Sequence, residues 1–218
     1  HLILTAILLA NTLIASAQID EKAKKILDEL SAKTKAFTTI IANFSYTIEN
    51  KTEKTSETQE GKITIKGKKY RLEIANQTII NDTKFSYTIL KDAKEIQKNT
   101  AAVAGGKNGD DINPSNIFTM YENGFKYQFV KEEKQSTGAV YQIIKLFPTE
   151  AKKRNFHTVM LTIDKTKKQI VAIKILGKDG NDMTYNVKKF IADSKVDDAV
   201  FAYNIKSFPG YEEIDLTQ

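Results

Sequence analysis

From residue 18 to residue 41 the apolar positions recur at helical spacing. Ile19, Ala23, Ile26, Leu27, Leu30, Thr34, Phe37 and Ile41 share one face, which predicts an amphipathic helix over Gln18–Ile41. Asp20 is placed to cap its start. The acidic beginning and lysine-rich later part suit the helix dipole. A helix with one apolar stripe needs a partner surface, and here that partner is a sheet.

From Asn43 onward the period falls to two. Phe44, Tyr46 and Ile48 alternate with polar neighbours, followed by Ile63 and Ile65, then Tyr70, Leu72 and Ile74, then Phe85, Tyr87 and Ile89. Lys66-Gly67-Lys68 and Asn81-Asp82-Thr83 are turn signals, so this region reads as an antiparallel meander. The stretch Lys98–Asn116 breaks the rhythm and predicts a long loop. Asn113-Pro114 then opens a short helix with Ile117, Phe118 and Tyr121 on its apolar side. Strands resume over residues 127–130, 140–147, 158–163, 170–176 and 184–190, with a last one at Phe201–Ile205. The total is about ten strands in one α+β domain over residues 18–218, a strongly curved antiparallel sheet around one long and one short helix.

Several strands carry apolar residues on both faces, as in Tyr141–Phe147 and Ile170–Leu176. Two helices have a wide inner surface to cover, so an apolar hollow is one reading. Patterning alone favours the other, a filled interior, because protein cores are close-packed.

Composition narrows the chemistry. With 41% hydrophobic and 28% charged residues the chain is globular rather than disordered. The absence of cysteine removes disulfides, thiolate metal sites and cysteine nucleophiles. His1 and His157 are the only histidines, too few for paired imidazole chemistry past the leader. No G-x-S-x-G or P-loop motif occurs. The adjacent carboxylates Asp110 and Asp111, Glu132 and Glu133, Asp197 and Asp198, and Glu212 and Glu213 point apart on an extended chain. The expectation is a protein that is not an enzyme and holds no metal; a hydrolase with a carboxylate pair brought together from distant strands is an alternative to which the sequence gives no positive support.

The first residues predict a secretory leader. Leu2–Ile14 is uncharged and mostly apolar, and Ala15-Ser16-Ala17 gives the small-x-small cleavage pattern, so the mature chain begins at Gln18. An uncleaved anchor or a buried helix is the alternative, although the run is short for a bilayer span. The net charge of +6 collects in clusters at Lys66, Lys68 and Lys69, at Lys152, Lys153 and Arg154, and at Lys165, Lys167 and Lys168. These are solvated turns that blunt sheet edges, or a means of attracting an anionic partner or membrane surface.

A resemblance runs through residues 18–215. Ala23-Lys24-Lys25-Ile26-Leu27-Asp28-Glu29-Leu30, Phe37, Phe44-Ser45-Tyr46 and Glu60-Gly61-Lys62-Ile63-Thr64-Ile65-Lys66-Gly67 carry its first part. Lys69-Tyr70-Arg71-Leu72, Asn81-Asp82-Thr83-Lys84 with Tyr87, Asn113-Pro114 and Phe208-Pro209-Gly210-Tyr211-Glu212-Glu213-Ile214-Asp215 complete it. In their order and spacing these segments make the chain similar to the periplasmic outer-membrane lipoprotein carrier (LolA) family, in its Bacteroidota form. The resemblance implies an unclosed β-barrel lidded by helices, in the periplasm. It also implies a carrier that moves acylated lipoproteins from an inner-membrane exporter to an outer-membrane acceptor or membrane surface. The carrier would use no cofactor and no covalent chemistry, its partners would include no nucleic acid, and it would be a monomer. A binding protein for another envelope lipid or an anionic ligand is the alternative. On this reading Phe44, Tyr46, Ile48, Ile63, Ile65, Tyr70, Leu72, Phe85, Tyr87 and Ile89 line the acyl-chain cavity by alternation, and Ile117 and Phe118 form the lid. Family members carry a lid-latching arginine just after the lysine of the second strand. That place falls on Gly67, so the latch is not carried over, and Arg71 is the nearest substitute.

Overall fold

The Asp20 carboxylate accepts the Ala23 backbone N–H at 2.9 Å and starts helix α1 (Glu21–Ala36). The computed structural model describes residues 20–101 and 118–217. The leader with its cleavage site, the expected helix start at Gln18 and Ile19, and Asn113, Pro114 and Ile117 lie outside the described residues. Helix α1 stops well before Ile41. Phe37 is already extended, and the β-branched run Thr38-Thr39-Ile40-Ile41 turns the chain into a strand.

Among the described residues twelve strands form one sheet. They are β1 (Thr39–Asn50), β2 (Thr55–Lys66), β3 (Lys69–Ile74), β4 (Gln77–Asn81), β5 (Phe85–Leu90) and β6 (Glu95–Thr100), then β7 (Phe125–Lys134), β8 (Val140–Pro148), β9 (Phe156–Asp164), β10 (Gln169–Gly177), β11 (Asn181–Ala192) and β12 (Glu212–Asp215). Their spatial order is β12-β6-β5-β4-β3-β2-β1-β11-β10-β9-β8-β7. Every pairing is antiparallel except β12 with β6. The end strands β12 and β7 do not pair with each other, so the curved sheet stays open. The class is α+β, a half-barrel with α1 against its inner face.

Further expected elements differ. The loop expected from Lys98 starts later, because Lys98, Asn99 and Thr100 pair with Tyr87, Ser86 and Phe85 as the end of β6. Residues 201–205 are not a strand. Single 3-10 turns occupy Asp198–Phe201 and Ile205–Ser207, because Asp197 and Asn204 bond the following backbone N–H groups and draw the chain into turns. The described part of the expected mid-chain helix is one 3-10 turn, Met120–Glu122.

The sheet has a core on each face. On the inner face α1 contributes Ala23, Leu27 and Leu30, which pack with residues of β1–β3 and β8–β10. On the outer face Ile80, Tyr87, Ile89 and Ile96 are covered by Tyr203, Phe208 and Tyr211. The segment that supplies this cover leaves β11, crosses toward β3 and ends as β12 beside β6. Asp198 anchors it, 3.2 Å from Lys66 and 3.3 Å from Lys69. Among the described residues no helix is long and apolar enough to cross a membrane.

Candidate apolar site on the inner face

Strand register brings the apolar side chains of β1 into rows with their neighbours. Ile40, Ala42, Phe44, Tyr46 and Ile48 stand opposite Ile65, Ile63, Gly61, Gln59 and Glu57 of β2. On the other side they stand opposite Ala192, Phe190, Val187, Tyr185 and Met183 of β11. The rows continue through Tyr70, Leu72 and Ile74 of β3 to Ile79 of β4. From Ile40 to Ile48 the strip extends roughly 26 Å at the usual strand rise.

The cover over this surface is uneven. Beneath α1, Ile144, Leu146, Val159, Leu161, Ile163, Ile170, Ile173 and Ile175 are all essentially inaccessible. On the other half, Tyr46, Leu72, Ile74, Ile79, Met183, Tyr185 and Val187 are half-buried, and Ile48 is 36% exposed. The interior is therefore filled under the helix and left partly accessible beside it. At one end of the strip a hollow of ≈ 230 Å³ opens between the last turn of α1 and the start of β1, with Phe37, Ile40, Ile65 and Phe118 among its walls.

Aromatic rings border this region. Phe190 lies 5.8 Å from Phe37 and 5.7 Å from Phe118, the latter edge-on. Tyr185 stacks on Tyr46 at 4.8 Å and meets Phe44 at 6.0 Å. Burial pushes the phenol groups of Tyr46 and Tyr70 up, so both are neutral. Among the described residues the buried Tyr70 hydroxyl has no hydrogen-bond partner within bonding distance, although Asn81 and Ser86 stand near it. Tyr121 is also raised by burial and has a buried, unbonded hydroxyl. Among the described residues there is no group of three His, Cys, Asp or Glu side chains that could hold a metal ion. What the surface can do is shelter hydrocarbon.

Seven of the ten residues assigned by alternation share the inner face: Phe44, Tyr46, Ile48, Ile63, Ile65, Tyr70 and Leu72. Phe85, Tyr87 and Ile89 do not. Leu72 stands opposite Ile79, and Ile79 opposite Thr88, so the inward residues of β5 are Ser86, Thr88 and Leu90. Tyr87 instead faces outward beside Ile80 and stacks on Tyr203 at 4.0 Å. The period of two is right there, but its direction is reversed because the unrecognised β4 lies between. Phe118 is buried against Phe190, while Ile117 lies outside the described residues. Phe37, expected only on the helix face, joins the site, and so do Phe190, Met183 and Tyr185, which were not singled out. The alternation Met183-Thr184-Tyr185-Asn186-Val187 carries a signal for the last two.

The latch position is empty of a side chain at Gly67, and Arg71 does not replace it. Gly67 has φ +59° in the β2–β3 turn, a conformation that disfavours any side chain. Arg71 points to the outer face opposite Ile80 and bonds Glu73 at 3.2 Å. A different pair ties the segment after residue 117 to the helix. The Glu122 carboxylate accepts the Ser31 hydroxyl at 2.5 Å and pairs with Lys35 at 2.7 Å.

The sequence profile described as "Outer membrane lipoprotein carrier protein LolA" matches residues 13–180. No curated protein matches the chain in sequence. Among solved structures, an uncharacterized conserved protein from Thermus thermophilus superposes with a TM-score of 0.55 at 12% identity, covering 88% of this chain and 98% of that one. The lipoprotein LppX of Mycobacterium tuberculosis superposes with a TM-score of 0.53 at 10% identity, covering 82% and 98%. At these identities the likeness is one of fold.

Proposed function

The chain belongs to the outer membrane lipoprotein carrier protein LolA family, and from that premise we propose that it shelters the acyl chains of a lipoprotein on the inner face of its sheet. The observation that supports this most is the apolar surface left partly accessible beside the helix, with Tyr46, Leu72, Ile74, Ile79, Met183 and Tyr185 half-buried and Ile48 exposed. Each buried CH₂ is worth about 0.8 kcal/mol, so one long chain gains roughly 10 kcal/mol from such shelter. No covalent step is involved. The carrier takes its client from an inner-membrane exporter and releases it at an outer-membrane acceptor, crossing the periplasm after loss of a leader that ends at Ala17. Release without an energy source needs a grip that easy movements can loosen.

Affinity for an anionic ligand through the lysine clusters has less support. Lys66 and Lys69 are engaged by Asp198, Lys165 by Glu132 at 2.8 Å, and Lys168 by Glu29 at 3.1 Å. Titration of a fluorescent long-chain fatty acid into the wild type and Leu72→Glu at low and high salt separates the readings. Wild-type affinity is expected to be nearly independent of salt and to be lost in the variant. Equal binding by both proteins, or a steep fall with salt, would overturn the acyl-carrier reading.

A further inference from the structure

Strands β10 and β11 separate part-way along their length. Their ladder runs from Leu176 opposite Asp182 to Ala172 opposite Asn186 and ends there. Beyond it, Gln169 and Ile170 pair only with β9, and Val187 and Lys189–Ala192 only with β1. Each strand carries a bulge where they part. Val171 is the extra residue of β10, between the pairs Ile170–Ile163 and Ala172–Thr162. Lys188 is the extra residue of β11, between the pairs Asn43–Lys189 and Phe44–Val187. Two bulges in facing strands bend them away from each other, and bulges of this kind gather at functional sites.

The opening holds ≈ 580 Å³ and is bordered by Val171 and Ala172 on one side and by Asn186 to Phe190 on the other. Among the described residues, both borders present strand backbone with no ladder partner across the gap, the arrangement that accepts an added strand. The charge around it is mainly positive, from Lys167, Lys188 and Lys189. Lys188 bonds Glu60 at 2.5 Å and Lys167 lies 3.9 Å from Asp164, so Lys189 is the lysine of the three with no ion pair among the described residues. The one bordering carboxylate, Asp164, is buried and already accepts the backbone N–H groups of Thr166 and Lys167 at 3.0 and 2.8 Å. Phe190 belongs to both places. It borders the cleft and touches Phe37 and Phe118, which wall the hollow at the end of the apolar strip.

We infer that this cleft receives an extended, acidic polypeptide segment as an added strand, and that the segment is the tether of the acylated client. The inference rests on the acyl-carrier reading and adds where the peptide part goes. Chains lying on the inner face would leave past Phe190, and the peptide attached to them would pass between β10 and β11.

Three probes test it: palmitic acid, an N-palmitoylated peptide with an aspartate- and serine-rich tail, and the same lipopeptide with alternate backbone nitrogens methylated. Each is titrated into the wild type and into K188E/K189E. The acidic tail is expected to tighten wild-type binding at least about tenfold over palmitic acid. Backbone methylation and the charge reversal are each expected to abolish that gain, with palmitic acid binding both proteins alike. A tail that adds nothing, or a gain that survives in K188E/K189E, overturns the cleft assignment while leaving the acyl site intact. Failure of palmitic acid to bind the wild type overturns the acyl-carrier reading and the tether with it.

Discussion

At Gly61 a missing side chain decides where a ring can lie. A β-carbon there would stand 2.4 Å from Phe44 Cζ and 2.7 Å from its Cε2, closer than atoms pack. The Phe44 ring therefore covers the glycine across the β1–β2 pair, on the inner face. Gly61→Ala is expected to displace the ring and cost about 1–3 kcal/mol, read as a lower urea midpoint with an unchanged slope. Leu72 and Tyr87 make a second residue-scale comparison, since register sends them to opposite faces. Leu72 is half-buried at the site, so Leu72→Glu is expected to lose acyl binding with little change in melting temperature. Tyr87 is buried beneath Tyr203, so Tyr87→Glu is expected to unfold the outer core first. A melting curve and a fatty-acid titration on both variants check the pair. Alternation alone could identify all ten candidate residues as apolar strand positions. It could not orient Phe85, Tyr87 and Ile89, because a facing direction is set by pairing partners that are distant in sequence or unrecognised.

Helix α1 is held at both ends, and each anchor gives a prediction of its own. Asp20 caps the first turn and also accepts the Phe129 N–H at 2.7 Å, which ties the helix to β7. The bond from Ala23 leads the effects that hold its carboxyl below the ordinary range. Asp20→Ala is expected to cost about 1–2 kcal/mol, measured by chemical denaturation. At the other end, burial would raise the Glu122 carboxyl, but the bonds from Lys35 and Ser31 outweigh it and keep the group below its usual value. Its folded pKa is therefore depressed, so its contribution is complete at neutral pH and fades as pH falls from the ordinary carboxylate range through the depressed folded value. Glu122→Gln is expected to melt below the wild type at neutral pH, with the difference closing under acid. The start of α1 was legible because a cap has a chemical signature. Its end was not, since Phe37 and Ile41 satisfy a helical period while the β-branched run between them prefers a strand. β4 and β6 escaped notice for a related reason. Glu95-Ile96-Gln97-Lys98-Asn99-Thr100 offers one apolar residue, and its place comes from the ladder with β5.

On the scale of the whole molecule, the sheet is a wall with a core on each side. Similarity to a carrier family made the open half-barrel legible, and the alternating strands agreed with it. The outer core was not legible, because Tyr203, Phe208 and Tyr211 meet Ile80 and Tyr87 only after the chain has crossed the sheet. Removal of everything from Tyr203 onward is expected to expose that apolar patch and cause aggregation, visible by size-exclusion chromatography. The parting of β10 and β11 was equally hidden, since it depends on where a ladder stops. The two-sided wall also divides the molecule mechanically. Strands β4 to β6 are clamped on the outer face by Tyr203, Phe208 and Tyr211, whereas the far end of β2, Thr55–Thr58, is exposed. Stiffness therefore falls along the wall, from a fixed flank to a compliant tip. A bulkier cargo would be accommodated by splaying of the β1–β2 hairpin while the clamped flank keeps its shape.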